Sequence, residues 1–161
     1  MKKLLVMVVL SGCASTIPET LKPNANETLA FVVPARGDQI YECRQTKTGD
    51  YDWAFVAPEA DLFDKGGKKI GRHYAGPTWE AADGSKVAGA VKQKADAPAA
   101  NAIPWLLLGT KSVGPQGAFS KVTSIQRVST TGGVAPQGGC PLAGFQIRIP
   151  YTADYYLFTA R

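Results

Sequence analysis

Between positions 72 and 80 the chain carries a guanidinium, an imidazole, two aromatic faces and a carboxylate: Arg72, His73, Tyr74, Trp79 and Glu80. Those side chains in one short segment suit a polar or glycan ligand, the rings stacking and the charges orienting it. Gly71, Gly76 and Pro77 punctuate the segment, and a bend there would turn the side chains into one cleft. His73 is the only histidine, and imidazole is the group that titrates nearest neutrality. With Glu80 and Asp83 close in sequence it offers the makings of a small hydrolase acting on a glycan or an ester. Glycoside hydrolysis needs two carboxylates held across the sugar. The plainer alternative is a strand histidine hydrogen-bonded to a neighbour, with Tyr74 and Trp79 packed and the charges in water. Asp61 and Asp64 form a second close acidic pair that reads equally as a solvated turn. No serine occupies a G-x-S-x-G elbow.

A different chemistry stands at the N-terminus. Lys2-Lys3, the apolar run Leu4 to Leu10, and then Ser11-Gly12-Cys13 together match a bacterial lipobox. In that reading residues 1–12 are a signal peptide, and Cys13 is acylated (palmitate among its chains) to become the new N-terminus. The apolar run is too short to span a bilayer as a helix. Each buried methylene contributes about 0.8 kcal/mol, so two or more chains anchor stably. An ordinary secretory signal, with Cys13 merely small and near the cut, is the alternative. Ala14 after the cysteine, in place of Asp, points to the outer rather than the inner membrane of a bacterial envelope.

The charge excess is mild, 18 basic against 13 acidic residues and +5 overall, and two lysines leave with the signal. Nucleic-acid binders carry a stronger footprint, so no nucleic-acid partner is expected. With Cys13 committed to lipid, Cys43 and Cys140 remain, and outside the cytoplasm two cysteines most simply form one disulfide. Two free buried thiols are the alternative. One histidine and two distant cysteines make no zinc site, and nothing in the pattern calls for a metal or cofactor. Lys65 to Lys69 and Arg72 concentrate positive charge on one hairpin. It suits lipid headgroups or an anionic envelope polymer, or simply a solvated turn that discourages edge pairing.

The elements that would position these residues read as β throughout. Residues 14–26, with Pro18 and Pro23, form a tether to a domain over 27–161. Runs at Thr28–Val33, Asp38–Cys43, Tyr51–Ala57, Lys69–Tyr74, Ser85–Val91, Trp105–Leu108, Phe119–Val128, Phe145–Ile149 and Tyr155–Thr159 are rich in β-branched and aromatic residues. Pro34 to Gly37, Thr48 to Asp50 and Asp83-Gly84 supply turns. Pro58 to Phe63 fits one helical turn, and Lys92–Asn101 and Thr130–Gly144 read as loops. The prediction is an all-β, single-domain sandwich or barrel of short strands with long Gly/Pro-rich loops. Most aromatics, Trp105 above all, belong to its core, and Trp79 is the tryptophan expected to be exposed if any is.

Several phrases have a further likeness. They are Gln39 to Cys43, Trp53 to Ala60, Gly71 to Glu80, Ile103 to Leu108, Ser124 to Val128 through Gly133, and Pro150 to Tyr156. Together they resemble the domain-of-unknown-function family numbered 3455, found in exported bacterial and fungal proteins, from about Pro23 to the C-terminus. The resemblance implies no activity. Some fungal members are labelled malate dehydrogenase, but the chain has no G-x-G and so lacks the dinucleotide fingerprint that label requires. The expectation is a lipid-anchored envelope protein with a binding or structural role rather than an enzyme.

Overall fold

The computed structural model describes residues 15–161; Cys13 and the signal-like run before it lie outside the described residues. Eight antiparallel strands follow one another in chain order round a closed barrel. They are β1 (Glu27–Gln45), β2 (Tyr51–Phe63), β3 (Lys69–Tyr74), β4 (Thr78–Ala81), β5 (Lys86–Ala95), β6 (Trp105–Ser112), β7 (Val122–Gly132) and β8 (Gln146–Ala160). Of the two all-β architectures expected, the chain forms the barrel. The ring closes where β1 pairs with β8, from Glu27 opposite Ala160 to Glu42 opposite Gln146. The connections after β1, β3, β5 and β7 share one end, here the upper end; those after β2, β4 and β6 share the lower end with Glu27 and Ala160.

Period-two patterning builds the interior. In β8 Tyr151, Ala153, Tyr155 and Leu157 are buried while Thr152, Asp154 and Tyr156 between them are half-buried, as one inward face demands. The same period overrides several turn signals. Pro34 to Gly37 is not a turn, because Val33 and Ala35 continue one inner face and β1 runs through. Gly37 allows the strands to approach: a Cβ there would lie 2.4 Å from the Ala60 Cα. Pro58 to Phe63 is strand rather than helix, since Ala60 and Leu62 alternate inward. Pairing with β6 extends β5 to Ala95 and so takes up the first part of the expected 92–101 loop. Thr130–Gly132 likewise ends β7. The runs at 145–149 and 155–159 are one strand, β8.

Phe119 closes the lower end. It is 1% exposed, within the main apolar cluster beside Val33, Leu62 and Leu157. Its backbone is fixed from across the β4–β5 turn, where the Ser85 Oγ accepts the Phe119 N–H at 3.0 Å and the Asp83 Oδ2 accepts the Ala118 N–H at 2.8 Å.

The expected tether is docked, not free, along much of its length. A 3-10 turn at Glu19–Leu21 lies on the outer wall, and Leu21, 0% exposed, packs with Trp105, Leu107 and Val128. Gln126 Nε2 donates to the Leu21 carbonyl at 2.6 Å. At the lower end Glu27 accepts from the Ser124 hydroxyl at 2.8 Å and from the Asn24 N–H at 2.9 Å. Two apolar residues, Ile17 and Leu21, make this contact, too few to form a period in the sequence. Leu21→Ala is expected to cost about 2–5 kcal/mol in urea unfolding and to expose residues 15–26 to protease.

Cys43 and Cys140 form a disulfide, with Cα atoms 5.7 Å apart and 97 positions between them. It ties the upper part of β1 to the β7–β8 loop. Closing so long a loop stabilises by up to about 4.7 kcal/mol through the unfolded state. Paired Cys43→Ser and Cys140→Ser replacements should lower the melting temperature, and reductant should then have no further effect.

Candidate functional site

Residues 72–80 lie in the β3–β4 hairpin. Arg72 stands opposite Glu80, His73 opposite Trp79 and Tyr74 opposite Thr78. Thr78–Ala81 is a strand the sequence left as a bend, and strand geometry sends alternate side chains to opposite faces. The five residues are therefore divided by the sheet instead of sharing one cleft.

Arg72, Tyr74 and Glu80 face outward. Arg72 Nη2 donates to Glu80 Oε1 at 3.1 Å, and the Tyr74 hydroxyl donates to Glu80 Oε2 at 2.5 Å. The guanidinium lies 4.9 Å from the Tyr74 ring centroid. Tyr74, then Arg72, holds the Glu80 carboxyl below its usual range. The group satisfies itself on the outer wall. Asp83 is elsewhere, in the lower β4–β5 turn, its Oδ1 accepting from the Ser85 N–H and hydroxyl. His73, Glu80 and Asp83 thus occupy three separate places, and no hydrolytic constellation is assembled from them. Asp61, a strand residue of β2, pairs with Lys69 at 2.6 Å, and Asp64 Oδ1 accepts from the Gly66 and Lys68 N–H groups of the turn, so the two carboxylates have separate structural roles.

His73 and Trp79 face inward, 3% and 1% exposed. Their rings stack with centroids 4.3 Å apart, and Tyr155 closes on both at 5.1 and 5.4 Å. The Trp79 ring lies against Gly89, where a Cβ would come within 2.8 Å of the indole. His73 Nδ1–H donates to the Thr78 carbonyl at 2.8 Å, a carbonyl being only an acceptor. Burial drives the imidazole from its ordinary 6.5 to about 3, against the pull of that hydrogen bond. It is a neutral part of the interior and too weak a base for hydrolysis near neutrality.

Above this aromatic floor opens a cavity of about 590 Å³, within the range of small-ligand sites. Strand lengths create it. β3 and β4 have 6 and 4 residues, whereas β2 and β5 have 13 and 10. β2 pairs with β3 only through Ala60–Phe63, and β4 with β5 only through Thr78–Glu80. The upper parts of β2 and β5 rise beyond the hairpin and leave a notch in the wall. Phe55 and Val56 line one side of it, Val91 and Lys94 the other, and Gly76-Pro77 the base.

Leu106, Leu108 and Ile103 supply apolar wall, and the few polar groups are specific. Gln39, 3% exposed, has its amide nitrogen buried without a hydrogen-bond partner, and so does the Trp79 indole N–H. The Tyr151 hydroxyl lies close enough to Gln39 to feel its amide, although the pair falls outside ordinary hydrogen-bond geometry. Buried polar groups are paired in the great majority of cases; the Trp105 indole N–H under the docked segment is a third exception, and Gln39 and Trp79 are the two whose side chains line the cavity. Arg127 Nε and Nη2 donate to the Pro104 carbonyl at 3.0 and 2.8 Å. Among the described residues it makes no ion pair, and its charge is felt by Tyr41, His73 and Tyr155.

Gln39 and Arg127 escaped the sequence reading because they stand on strands far from the hairpin. The signal for them was alternation: Gln39 follows Val33 and Ala35 in phase, and Arg127 follows Ile125. Among the described residues no group of three or more His, Cys, Asp or Glu side chains could hold a metal ion.

The fold and its chamber define a closed eight-stranded up-and-down barrel, stoppered below and hollow above. The chain belongs to the family described as Protein of unknown function (DUF3455), whose model matches residues 23–159. No curated protein and no solved structure matches it.

The buried imidazole has a measurable consequence. Unfolded, His73 binds a proton below about pH 6.5; folded, it stays neutral down to about pH 3. The unfolded state therefore binds more protons in that window, and stability falls as the pH falls. Between pH 6.5 and 4.5 the loss should be about 2–3 kcal/mol. In His73→Gln most of that slope should be lost in urea titrations at each pH, leaving the smaller part that Glu27 and Glu80 contribute, whereas an unchanged slope would show that other groups carry it.

Proposed function

We propose that this protein is a lipid-anchored component of a bacterial envelope whose barrel binds a small ligand in the upper cavity. The observation that carries the reading is the cavity itself: apolar walls, an aromatic floor, and buried donors on Gln39 and Trp79 that lack acceptors. Eight-stranded barrels are wide enough to hold one small ligand where side chains do not fill them. The His73–Trp79 pair makes the floor firm, since a stacked, desolvated pair has little room to rearrange. Binding is favoured over hydrolysis because the interior polar groups are donors and a neutral ring, with no carboxylate facing the chamber. The anchor belongs to this proposal too: acylation of Cys13 would hold the barrel at the outer membrane.

Two experiments test it. Cys13→Ser should move the protein from the membrane to the soluble fraction, and mass spectrometry of the membrane-bound wild type should find acyl chains on Cys13. An unmodified Cys13 there would overturn the anchor. For the cavity, the neutral dye N-phenylnaphthylamine should gain fluorescence with the wild type. Leu106→Trp, which fills the chamber, should abolish that gain while melting normally. Equal enhancement by both proteins would place the dye on the surface and reject the cavity as a site.

A further inference from the structure

The cavity has a charge preference. Arg127 within and Lys94 at the notch line it, and no aspartate or glutamate does. Arg127 spends two of its donors on the single Pro104 carbonyl and, among the described residues, meets no carboxylate to neutralise it. A guanidinium offers a planar fork that matches a carboxylate bidentately. Gln39, whose amide nitrogen is without a hydrogen-bond partner, lines the same chamber, and the paired Tyr151 and Tyr155 hydroxyls lie between the two groups. The rest of the wall is mainly apolar and aromatic, with Trp79, Leu106 and Leu108 in the chamber and Phe55 and Val91 at the notch.

The cavity also has a direction. The docked N-terminal segment starts near the upper end, where Ile17 packs on the cluster that Ala95, Ala97 and Trp105 share, and descends to Glu27 at the lower end. Residues 13–17, even fully extended, reach about 14 Å at most. An acylated Cys13 would therefore hold the upper end near the bilayer. Tyr51, Phe55, Val56, Val91, Leu142 and Phe145 are exposed in the upper part of the barrel, against Leu29, Phe31 and Val113 near the lower end. The Lys65–Lys69 turn, suited by sequence to headgroups, stands at the lower end and faces away.

We propose that the cavity takes up a single-chain amphiphile with an anionic head, such as a fatty-acid carboxylate, from the membrane that its mouth faces. The carboxylate sits on Arg127 with Gln39 as second donor, and the chain runs over Trp79 and out through the notch between β2 and β5. This rests on the reading of the cavity as a ligand site.

Bromoundecanoate is a suitable probe, because bromine against the indole quenches Trp79. In solution, the Cys13→Ser chain should bind it about tenfold or more tighter than its uncharged methyl ester, as a charge-assisted pair implies. Arg127→Gln should erase that preference, so that acid and ester bind with the same affinity, and Gln39→Met should reduce it. The second variant keeps the test decisive if the first fails to fold. Equal affinity for acid and ester in the wild type would overturn the anionic head and leave the cavity reading intact. Binding of neither, together with no dye response, would overturn the cavity reading itself. For the source, vesicles of phosphatidylethanolamine and phosphatidylglycerol are loaded with the same acid. Lipidated protein on them should quench about tenfold faster than Cys13→Ser protein added to them, the gain expected from a raised effective concentration. Equal rates would assign delivery to the aqueous phase and overturn the membrane source.

Discussion

Pairing of the first strand with the last is the constraint on which the rest of the molecule depends. β1 and β8 are its longest strands and run side by side from Glu27–Ala160 to Glu42–Gln146. Once they join, eight strands fix the width of the ring, and every inward side chain must share one narrow volume. Below, that volume is filled by Leu62, Val87, Ile125 and Leu157 and sealed by Phe119. Above, the ring is still closed but its wall is uneven, because a hairpin of 6- and 4-residue strands sits between longer neighbours. The side chains facing that gap have nothing opposite to pack against. The chamber is thus a result of mismatched strand length and not of missing side chains.

The chamber also shows how one sheet sorts chemistry. His73 and Trp79 lose their contact with water and with it their acid–base use; Arg72 and Glu80, one residue away on each strand, keep theirs and form an exposed pair whose contribution to stability is small. Arg127 is the intermediate case. It is half-buried, tied to a carbonyl and surrounded by rings. In such surroundings a charge is less screened than at the surface and acts over a longer distance.

Much of the fold was legible in the residues. Runs of β-branched and aromatic residues between turn residues placed strands at every site where one occurs except Thr78–Ala81, and Lys69–Tyr74 coincides with β3. Strand ends were harder to read, because Pro34, Gly37 and Pro58 are turn residues by local chemistry and become strand residues only when a partner strand requires them. The candidate site was legible as a cluster and misread as a face. Proximity in sequence suggested one cleft for Arg72 to Glu80, whereas pairing with Thr78–Ala81 turned two of the five inward and three outward. What completes the chamber, Gln39 from β1 and Arg127 from β7, arrives through ring closure, and no local pattern reports which distant strands will converge. The docked segment around Leu21 was hidden for the same reason: its partners, Trp105 and Val128, lie on β6 and β7.

That docked segment and the closing pair have a consequence for how the chain acquires its shape. The hairpins from β2 to β7 join neighbours in sequence and can form as the polypeptide lengthens. The outer edge of β1 and the Ser124 hydrogen bond of Glu27 are completed only by residues beyond position 104, as is most of the packing around Leu21. Contacts of such long sequence separation are slow to form, since loop entropy must be spent before they return anything. A growing or translocating chain therefore carries a long unpaired strand edge at its front until β8 emerges. The first strand made is the last to be protected, and in that interval it is the molecule's exposed flank for mispairing.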